Sequence, residues 1–160
     1  MNNEIFEACK ALVKLLKEKK LKIATAESCT GGMVAAYITS VSGASEVFEM
    51  GLTTYSNRIK NQKLGVDAHT LETKGAVSYE TATEMAQNVR RIANADIGVS
   101  VTGVAGPAPQ DGYTAGTVFV AVSDSVATTP VKLKIEPRDR NYVREQAALQ
   151  LILKTIEHIK

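Results

Sequence analysis

The sequence predicts an α/β fold in which a mixed sheet is covered by helices on both faces. Two observations support this prediction. Helical patterns precede and separate the early β-rich segments, which favours parallel strands joined by helices. Two later β-rich runs follow each other across a short turn at Asp124-Ser125, which adds an antiparallel hairpin.

Length and composition indicate one soluble, cytoplasmic domain spanning residues 1–160. A chain of 160 residues is large enough to bury a core without disulfides or metals. The net charge is +2 with acids and bases interleaved, so we expect no nucleic acid as a partner. No signal segment opens the sequence and no apolar run approaches the length of a membrane span, so we expect no membrane partner.

Only two cysteines are present, and Cys9 falls on the apolar side of a helical pattern, which indicates a reducing compartment without a disulfide framework.

Apolar residues at three-to-four spacing predict the helices. Ser56, Ser78 and Asp139 are placed to accept hydrogen bonds from the free amides at helix starts. The predicted helices are residues 3–19, residues 31–41, a helix from Ser56 that ends at Gly65, a helix from Ser78 with Ala82, Met85, Ala86, Val89 and Ile92 on its inner face, and residues 140–159.

Three loops follow the carboxyl ends of predicted strands: "ESCTGG" at 27–32, "TYSNRIK" at 54–60 and "TGVAGP" at 102–107. Ligands of open α/β sheets gather at the carboxyl ends of strands. We therefore expect these loops to share one crevice. The predicted strands are "KIATA" at 22–26, "EVFEMGLTTY" at 46–55, "DIGVSVTG" at 96–103, "GTVFVAVSD" at 116–124 and "ATTPVKLKIE" at 127–136.

Ser28 stands just beyond the first strand, where its hydroxyl can project into this crevice beside the amides of a first helical turn. Such amides hold an oxyanion in acyl-transfer enzymes. Gly31 and Gly32 remove side chains where a flat substrate would approach the backbone. The alternative is that Ser28 or Thr30 only caps a helix.

A serine nucleophile needs a base, and Lys60 is the residue that we favour. His69 follows an unremarkable loop and His158 lies in the last helical turn, so a serine-histidine triad is not expected. Lys60 falls near the positive end of the helix that starts at Ser56, where the dipole and partial burial both lower the pKa of an ammonium group. Two alternatives stay open: Lys60 is a solvated surface lysine, or Ser56, four residues earlier, is the nucleophile.

Three residues close to Ser28 or Lys60 in sequence each have more than one possible role. Tyr55 ends its strand beside the crevice, where it relays a proton, stacks on an aromatic substrate or packs with its hydroxyl in water. Cys29 is a candidate thiolate at a helix start, although no histidine lies nearby to activate it. Glu27 orders either the turn or the pocket by accepting hydrogen bonds from backbone amides.

Two later segments suit an anionic ligand. "TGVAGP" supplies Thr102, Gly103 and Gly106, enough for a backbone nest around an anion or a carboxamide, without the spacing of a dinucleotide fingerprint. Arg140 and Arg144 lie four apart at the start of the final helix and share a face that suits one phosphate. An ordinary charged surface explains these arginines equally well. No metal-ligand spacing occurs, and no metal or organic cofactor is expected.

Taken in order, "TAESCTGG", "TYSNRIK", "GAVS", "VTGVAGP" before "GTV", and "RDRNYVR" resemble the C-terminal domain of the CinA competence and damage-inducible family, the nicotinamide-nucleotide amidohydrolases (PncC). The resemblance covers almost the whole chain. It implies a three-layer α/β/α sandwich with a mostly parallel sheet, resembling the anticodon-binding fold. It also implies hydrolysis of the carboxamide of nicotinamide mononucleotide to nicotinic acid mononucleotide and ammonia.

The resemblance assigns roles to individual residues. It implies Ser28 as the nucleophile, Lys60 and Tyr55 as its activating partners, and Arg140 for the nucleotide phosphate. We expect the stand-alone form of the family, without its larger N-terminal domain, and a homo-oligomer. The sequence departs from the family pattern in "APQDGYTAGTV" and at Arg138, and both changes touch the ligand side. A nucleotide-binding or adaptor domain linked to competence or the DNA damage response, and an amidase for a different carboxamide, remain as alternatives.

Overall fold

The computed structural model describes residues 2–160, so Met1, the first residue of the predicted domain, lies outside the described residues. In the described part, helices separate the first three strands, and a hairpin and a long helix follow. The helices are α1 (Asn3–Lys19), α2 (Met33–Thr39), α3 (Asn57–Gln62), α4 (Ala68–Thr73), α5 (Tyr79–Ala93) and α6 (Arg140–Ile159), and the strands are β1 (Ile23–Glu27), β2 (Phe48–Thr53), β3 (Ile97–Gly103), β4 (Thr117–Ser123) and β5 (Thr128–Lys134).

The five strands form one mixed sheet in the order β2-β1-β3-β4-β5. The first three strands are mutually parallel, with β1 in the centre, whereas β4 and β5 continue the sheet as antiparallel neighbours. Strand β5 therefore runs in the same direction as β1, β2 and β3. This arrangement confirms the predicted α/β fold with its mostly parallel core and late hairpin.

The two faces of the sheet are covered by different helices. Helices α1, α2 and α6 pack on one face around side chains such as Ile23 and Val99, while α5 covers the other face above Ala24 and Phe119. Gly98 in β3 shows how closely α5 approaches, because a Cβ atom at this position would lie 2.1 Å from the carbonyl oxygen of Ala86. The three layers fix the strands firmly enough to hold side chains at the strand ends in defined positions.

Polar residues start the helices where the sequence predicted them. The hydroxyl of Ser56 accepts a hydrogen bond from the amide of Ile59, and the hydroxyl of Ser78 accepts one from the amide of Thr81. Asp139 caps α6 in the same way. These three predicted caps are confirmed.

Two predictions are wrong in detail, and one helix was not predicted. Helix α4, capped by Asp67, contains His69, which follows a loop as expected; a helix of six residues has too few apolar positions to show a period. Ile92 is 52% exposed, because the inner stripe of α5 passes through Ala93, which lies closer to the rotation set by Val89. The second helix covers only Met33–Thr39, since residues 31 and 32 form the turn that enters it.

Candidate active site

The register of the parallel strands brings three chain segments together at one edge of the sheet. Glu27, the last residue of β1, pairs with Thr53 of β2 and with Val101 of β3. The next residue, Ser28, is held by a hydrogen bond of 3.0 Å from its amide to the carbonyl of Val101. Thr54 donates its amide to the carbonyl of Glu27 at 2.8 Å. The residues that follow the three strands therefore lie side by side.

Lys60 reaches across this edge to Ser28. Its Nζ atom lies 2.8 Å from Ser28 Oγ, although 32 residues separate the two in sequence. The amine also donates to the carbonyl of Thr54 at 2.8 Å and to that of Tyr55 at 3.4 Å. Lys60 is 1% exposed and Ser28 9% exposed, so the pair is shielded from water. A neutral amine has two N–H groups and one lone pair, which match two carbonyl acceptors and one hydroxyl donor.

Burial lowers the pKa of Lys60 from 10.5 to about 8, while the nearby side chains of Cys29 and Asp111 act in the opposite direction. The predicted contribution of the helix dipole is wrong. Lys60 occupies the last turn of α3, where the negative end of the dipole favours the charged ammonium. Desolvation is therefore the reason that a neutral amine is accessible near neutral pH.

Ser56, the alternative partner for Lys60, is used elsewhere. Its hydroxyl accepts the amide of Ile59 at 3.2 Å as the cap of α3, and the residue is exposed. The amine of Lys60 points instead to Ser28 and the two carbonyls. The geometry therefore favours Ser28 over Ser56 as the nucleophile.

The carboxylate of Glu27 organises the turn after β1. Its oxygens accept hydrogen bonds from the hydroxyl of Thr30 at 2.6 Å and from the amides of Gly32, Val34 and Ala35 at 3.1, 3.0 and 2.8 Å. Glu27 is 1% exposed and does not line the cavity. Of the two roles considered for Glu27, ordering the turn is therefore the one that the contacts support.

Gly31 and Gly32 serve the same turn. Both adopt positive φ angles, +63° and +100°, which residues with a Cβ atom adopt at a cost. Neither glycine lines the cavity, so the expectation that they clear space for a flat substrate is not supported. Their function in the fold is to let the chain turn sharply from β1 into α2.

The amides available for an oxyanion are fewer than the sequence suggested. Gly31 donates its amide to the carbonyl of Ser28, and Met33 donates to Thr30, while Glu27 accepts the other first-turn amides. Within residues 2–160, two amides of this turn remain, those of Cys29 and Thr30. Neither donates a hydrogen bond to a backbone oxygen or to the side-chain oxygen of another residue. Cys29 also lines the cavity, and its amide directly follows the serine.

The thiol of Cys29 is not suited to nucleophilic attack. Burial raises its pKa to about 12, and the nearby charge of Glu27 acts in the same direction. The thiolate is the reactive form of cysteine. Ser28 therefore remains the better nucleophile of the two adjacent residues.

Arg140 and Arg144 do not form the shared phosphate seat that their spacing suggested. Arg144 donates to the carbonyls of Cys29 and Thr30 at 3.1 and 2.9 Å and to Asn141. It therefore stabilises the turn after β1 from the side away from the cavity. Arg140 lines the cavity and donates to the carbonyl of Gly106 at 2.6 Å. Only Arg140 is placed to meet a ligand.

Tyr55 lies at the rim of the cavity. Its side chain is 59% exposed, and its hydroxyl accepts a hydrogen bond of 2.8 Å from Arg140. The carbonyl of Tyr55, and not its hydroxyl, contacts Lys60. This placement suits stacking on a ligand better than proton relay to Ser28.

The three loops line a single cavity of about 300 Å³. Thr102, Gly103 and Gly106 contribute to its wall as predicted from "TGVAGP", with the hydroxyl of Thr102 donating to the carbonyl of Ala76 at 2.7 Å. Residues that line the cavity without having been singled out individually from the sequence are Asn57, Ala76, Val77, Val104, Ala105, Pro107, Ala108, Pro109 and Gln110. Asn57 had a signal because it lies inside the "TYSNRIK" loop, and Gln110 had one because it lies in "APQDGYTAGTV", the segment expected on the ligand side.

Neither His69 nor His158 lines this cavity. His158 contacts Asp124 at 2.9 Å, near the turn between β4 and β5 and far from Ser28 in the sheet. No three His, Cys, Asp or Glu side chains among residues 2–160 lie close enough to hold a metal ion. In the same part of the chain, no helix has the length and hydrophobicity to cross a bilayer.

The fold and the site define a class of protein: an α/β/α domain with a buried serine-lysine pair at the carboxyl ends of its parallel strands. The family model of the CinA C-terminal domain matches residues 6–158. The chain belongs to this family.

Relatives and solved structures agree with the family assignment. A competence-damage inducible protein of Thermoanaerobacter sp. (strain X514) is 48% identical over 144 residues, which cover 88% of this chain and 34% of that protein. The chain thus spans about a third of the length of the curated relatives it matches. The crystal structure of a competence or damage-inducible protein from Enterobacter asburiae has a TM-score of 0.95 and 35% identity, with 99% of this chain and 100% of that chain covered. The competence/damage inducible protein CihA from Agrobacterium tumefaciens gives 0.94 and 31%, with 98% and 96% covered.

Replacing Glu27 by Gln tests whether this carboxylate holds the turn. An amide side chain presents one acceptor oxygen where four donors converge, so Glu27→Gln lowers the free energy of unfolding by about 3 kcal/mol. Urea denaturation followed by circular dichroism measures the change. Glu18→Gln, an exposed carboxylate on α1, is the matched control and changes stability by less than about 0.5 kcal/mol. Equal stability of the two variants would contradict the role of Glu27.

Proposed function

We propose that this chain hydrolyses the carboxamide of nicotinamide mononucleotide to nicotinic acid mononucleotide and ammonia. The observation that carries the proposal is the contact of 2.8 Å between Lys60 Nζ and Ser28 Oγ, in a site where burial lowers the pKa of the amine to about 8. A neutral amine in this position accepts the hydroxyl proton as the oxygen attacks. The resemblance of the motifs to the nicotinamide-nucleotide amidohydrolases supports the choice of substrate.

The proposed reaction has two halves. Lys60 takes the proton of Ser28 while Oγ bonds to the carboxamide carbon, and the amide of Cys29 donates to the developing oxyanion. Collapse of the tetrahedral intermediate breaks the C–N bond, and the Lys60 ammonium returns its proton to the leaving nitrogen, which departs as ammonia. Water then attacks the acyl-enzyme with Lys60 again as the base, which releases the carboxylic acid and restores the Ser28 hydroxyl.

Arg140 supports recognition of the nucleotide. Its guanidinium has five N–H donors, of which one is directed to Gly106 and one to Tyr55. The others are available to a phosphate group at the mouth of the cavity. The exposed ring of Tyr55 beside it offers a surface for the ring or the ribose of the substrate.

A second candidate function is nucleotide binding without turnover, in an adaptor linked to competence or DNA damage. The observation in its favour is that the relatives named for competence and damage induction are about three times as long as the part matched here. The first prediction below separates the two functions.

The first prediction concerns the nucleophile. Ser28→Ala abolishes ammonia release from nicotinamide mononucleotide, with a loss in kcat of about 1000-fold or more, because no oxygen remains to form the acyl-enzyme. Coupled measurement of ammonia follows the rate. Ser56→Ala is the matched control and keeps turnover close to that of the parent protein. Equal rates of Ser28→Ala and parent would overturn the nucleophile, and absence of turnover in both, with the nucleotide still bound, would favour the adaptor.

The second prediction concerns pH. Lys60 accepts a proton only when neutral, so kcat/KM rises with pH and levels off above about 8, the pKa that burial gives this amine. Below that pH the rate falls about tenfold per pH unit. Lys60→Arg, which is charged at every accessible pH, has no turnover. A profile that stays flat between pH 6 and pH 9 would contradict Lys60 as the base.

The third prediction concerns Arg140. Arg140→Ala raises KM for nicotinamide mononucleotide about tenfold or more, because one charge-assisted phosphate contact is lost, and leaves the riboside, which has no phosphate, unaffected. Steady-state kinetics with the base, the riboside and the nucleotide measures the effect. Arg58→Ala is the control, since Arg58 carries the same charge but donates to Gln62 on its own helix. A preference of the parent protein for the base over the nucleotide would contradict the phosphate role and favour a different carboxamide.

A further inference from the structure

One wall of the cavity is the segment that leads into α5. Ala76 and Val77 from this segment line the cavity. The carbonyl of Ala76 accepts the hydroxyl of Thr102, which fixes the segment to β3. The amide of Val77 donates to Asp111 Oδ2 at 3.1 Å, and Asp111 lies 34 residues further along the chain. This second contact joins the segment to a different wall.

Asp111 lies in the loop that forms the facing wall. Pro107 to Gln110 line the cavity, and the backbones of Gln110 and Tyr113 exchange two hydrogen bonds of 3.0 and 2.9 Å around a tight turn. Asp111 adopts a φ of +51° in this turn, a conformation that aspartate tolerates better than most residues. The ring of Tyr113 packs edge-on against Phe119 of β4, with centroids 5.5 Å apart. The turn is therefore fixed to the sheet and directs Asp111 towards Val77.

Close packing at Gly75 leaves little freedom between the two walls. Gly75 has a φ of +79°, and a Cβ atom at this position would lie 3.0 Å from Asp111 Oδ2. The carboxylate therefore sits directly against the backbone of the segment that contains Val77. Asp111 itself does not line the cavity, so it acts on the shape of the ligand site through the walls that it joins, while its charge separately raises the pKa of Lys60.

We propose that Asp111 is a positioning residue that ties the loop of residues 107–112 to Val77 and so sets the width of the cavity for its ligand. The expected effect on hydrolysis rests on the proposed function, whereas the hydrogen bond that joins Asp111 to Val77 does not depend on it. Ser28 and Lys60 stand on other elements, the turn after β1 and helix α3, so loss of the tie changes ligand binding and leaves the chemical step in place.

Two substitutions separate the tie from the charge. Asp111→Ala removes the acceptor and raises KM for nicotinamide mononucleotide about fivefold, the effect of one hydrogen bond, with kcat within about twofold of the parent. Asp111→Asn keeps an oxygen acceptor and restores KM to within about twofold of the parent. Hydrogen exchange followed by NMR, without substrate, reports the tie directly: the Val77 amide exchanges about tenfold faster in Asp111→Ala and at the parent rate in Asp111→Asn.

Asp96→Ala is the matched control. Asp96 is also exposed and also accepts a backbone amide from a distant segment, that of Lys22 at 2.7 Å, at the opposite end of β1. This variant leaves KM and the exchange of Val77 at parent values, and the Val104 amide, which donates to Thr117, is the internal reference in all variants. Parent-like exchange of Val77 in Asp111→Ala, or an Asn variant as impaired as the Ala variant, would overturn the proposal. If the parent protein has no amidase activity, the proposed function fails while the exchange measurement still decides the tie.

Discussion

The central position of β1, between two parallel strands, is the constraint on which the site depends. Because Glu27 pairs with both Thr53 and Val101, Ser28 leaves the sheet between the loops that follow β2 and β3. One of these loops leads into α3 and supplies Lys60, and the other forms the wall opposite. A shift of one residue in either pairing would turn these side chains towards the other face of the sheet.

The turn around Ser28 is held from the side away from the cavity. Glu27 accepts hydrogen bonds from the amides that enter α2, and Arg144 donates to the carbonyls of Cys29 and Thr30. Most hydrogen bonds of both side chains are made to backbone groups that would otherwise be unsatisfied. The cavity side of the turn is left with the hydroxyl of Ser28 and the amide that follows it. This division explains why so few of the polar residues in "TAESCTGG" face the ligand.

Much of this arrangement could be predicted from local patterns, and the rest depends on contacts that no local pattern encodes. Strand ends and caps such as Ser56 and Asp139 are determined by short-range chemistry, and the strand-end rule brings Ser28 and Lys60 to the same crevice. Arg140 and Arg144 show the limit of this reasoning. They share one helix face, yet the difference of one turn places Arg144 against the carbonyls behind Ser28 and Arg140 in the cavity. For Lys60 the prediction was right in one cause and wrong in the other: burial lowers the pKa as expected, whereas the last turn of α3 places the amine at the negative end of the helix dipole, which favours the charged ammonium.

The burial of Lys60 also makes the folded chain less stable than it would be without an ionisable group at that position. The folded protein holds the proton of this amine with a pKa of about 8, compared with 10.5 for an ordinary lysine in the unfolded chain. Unfolding therefore takes up a proton between pH 8 and 10.5, so the penalty is present in full below pH 8, where both states are protonated, and disappears above 10.5, where both are neutral. It amounts to about 3 kcal/mol at neutral pH. The free energy of unfolding of single domains is only about 5–15 kcal/mol in total. The remaining contacts of the three layers must therefore offset a substantial cost to keep the Lys60 amine away from water.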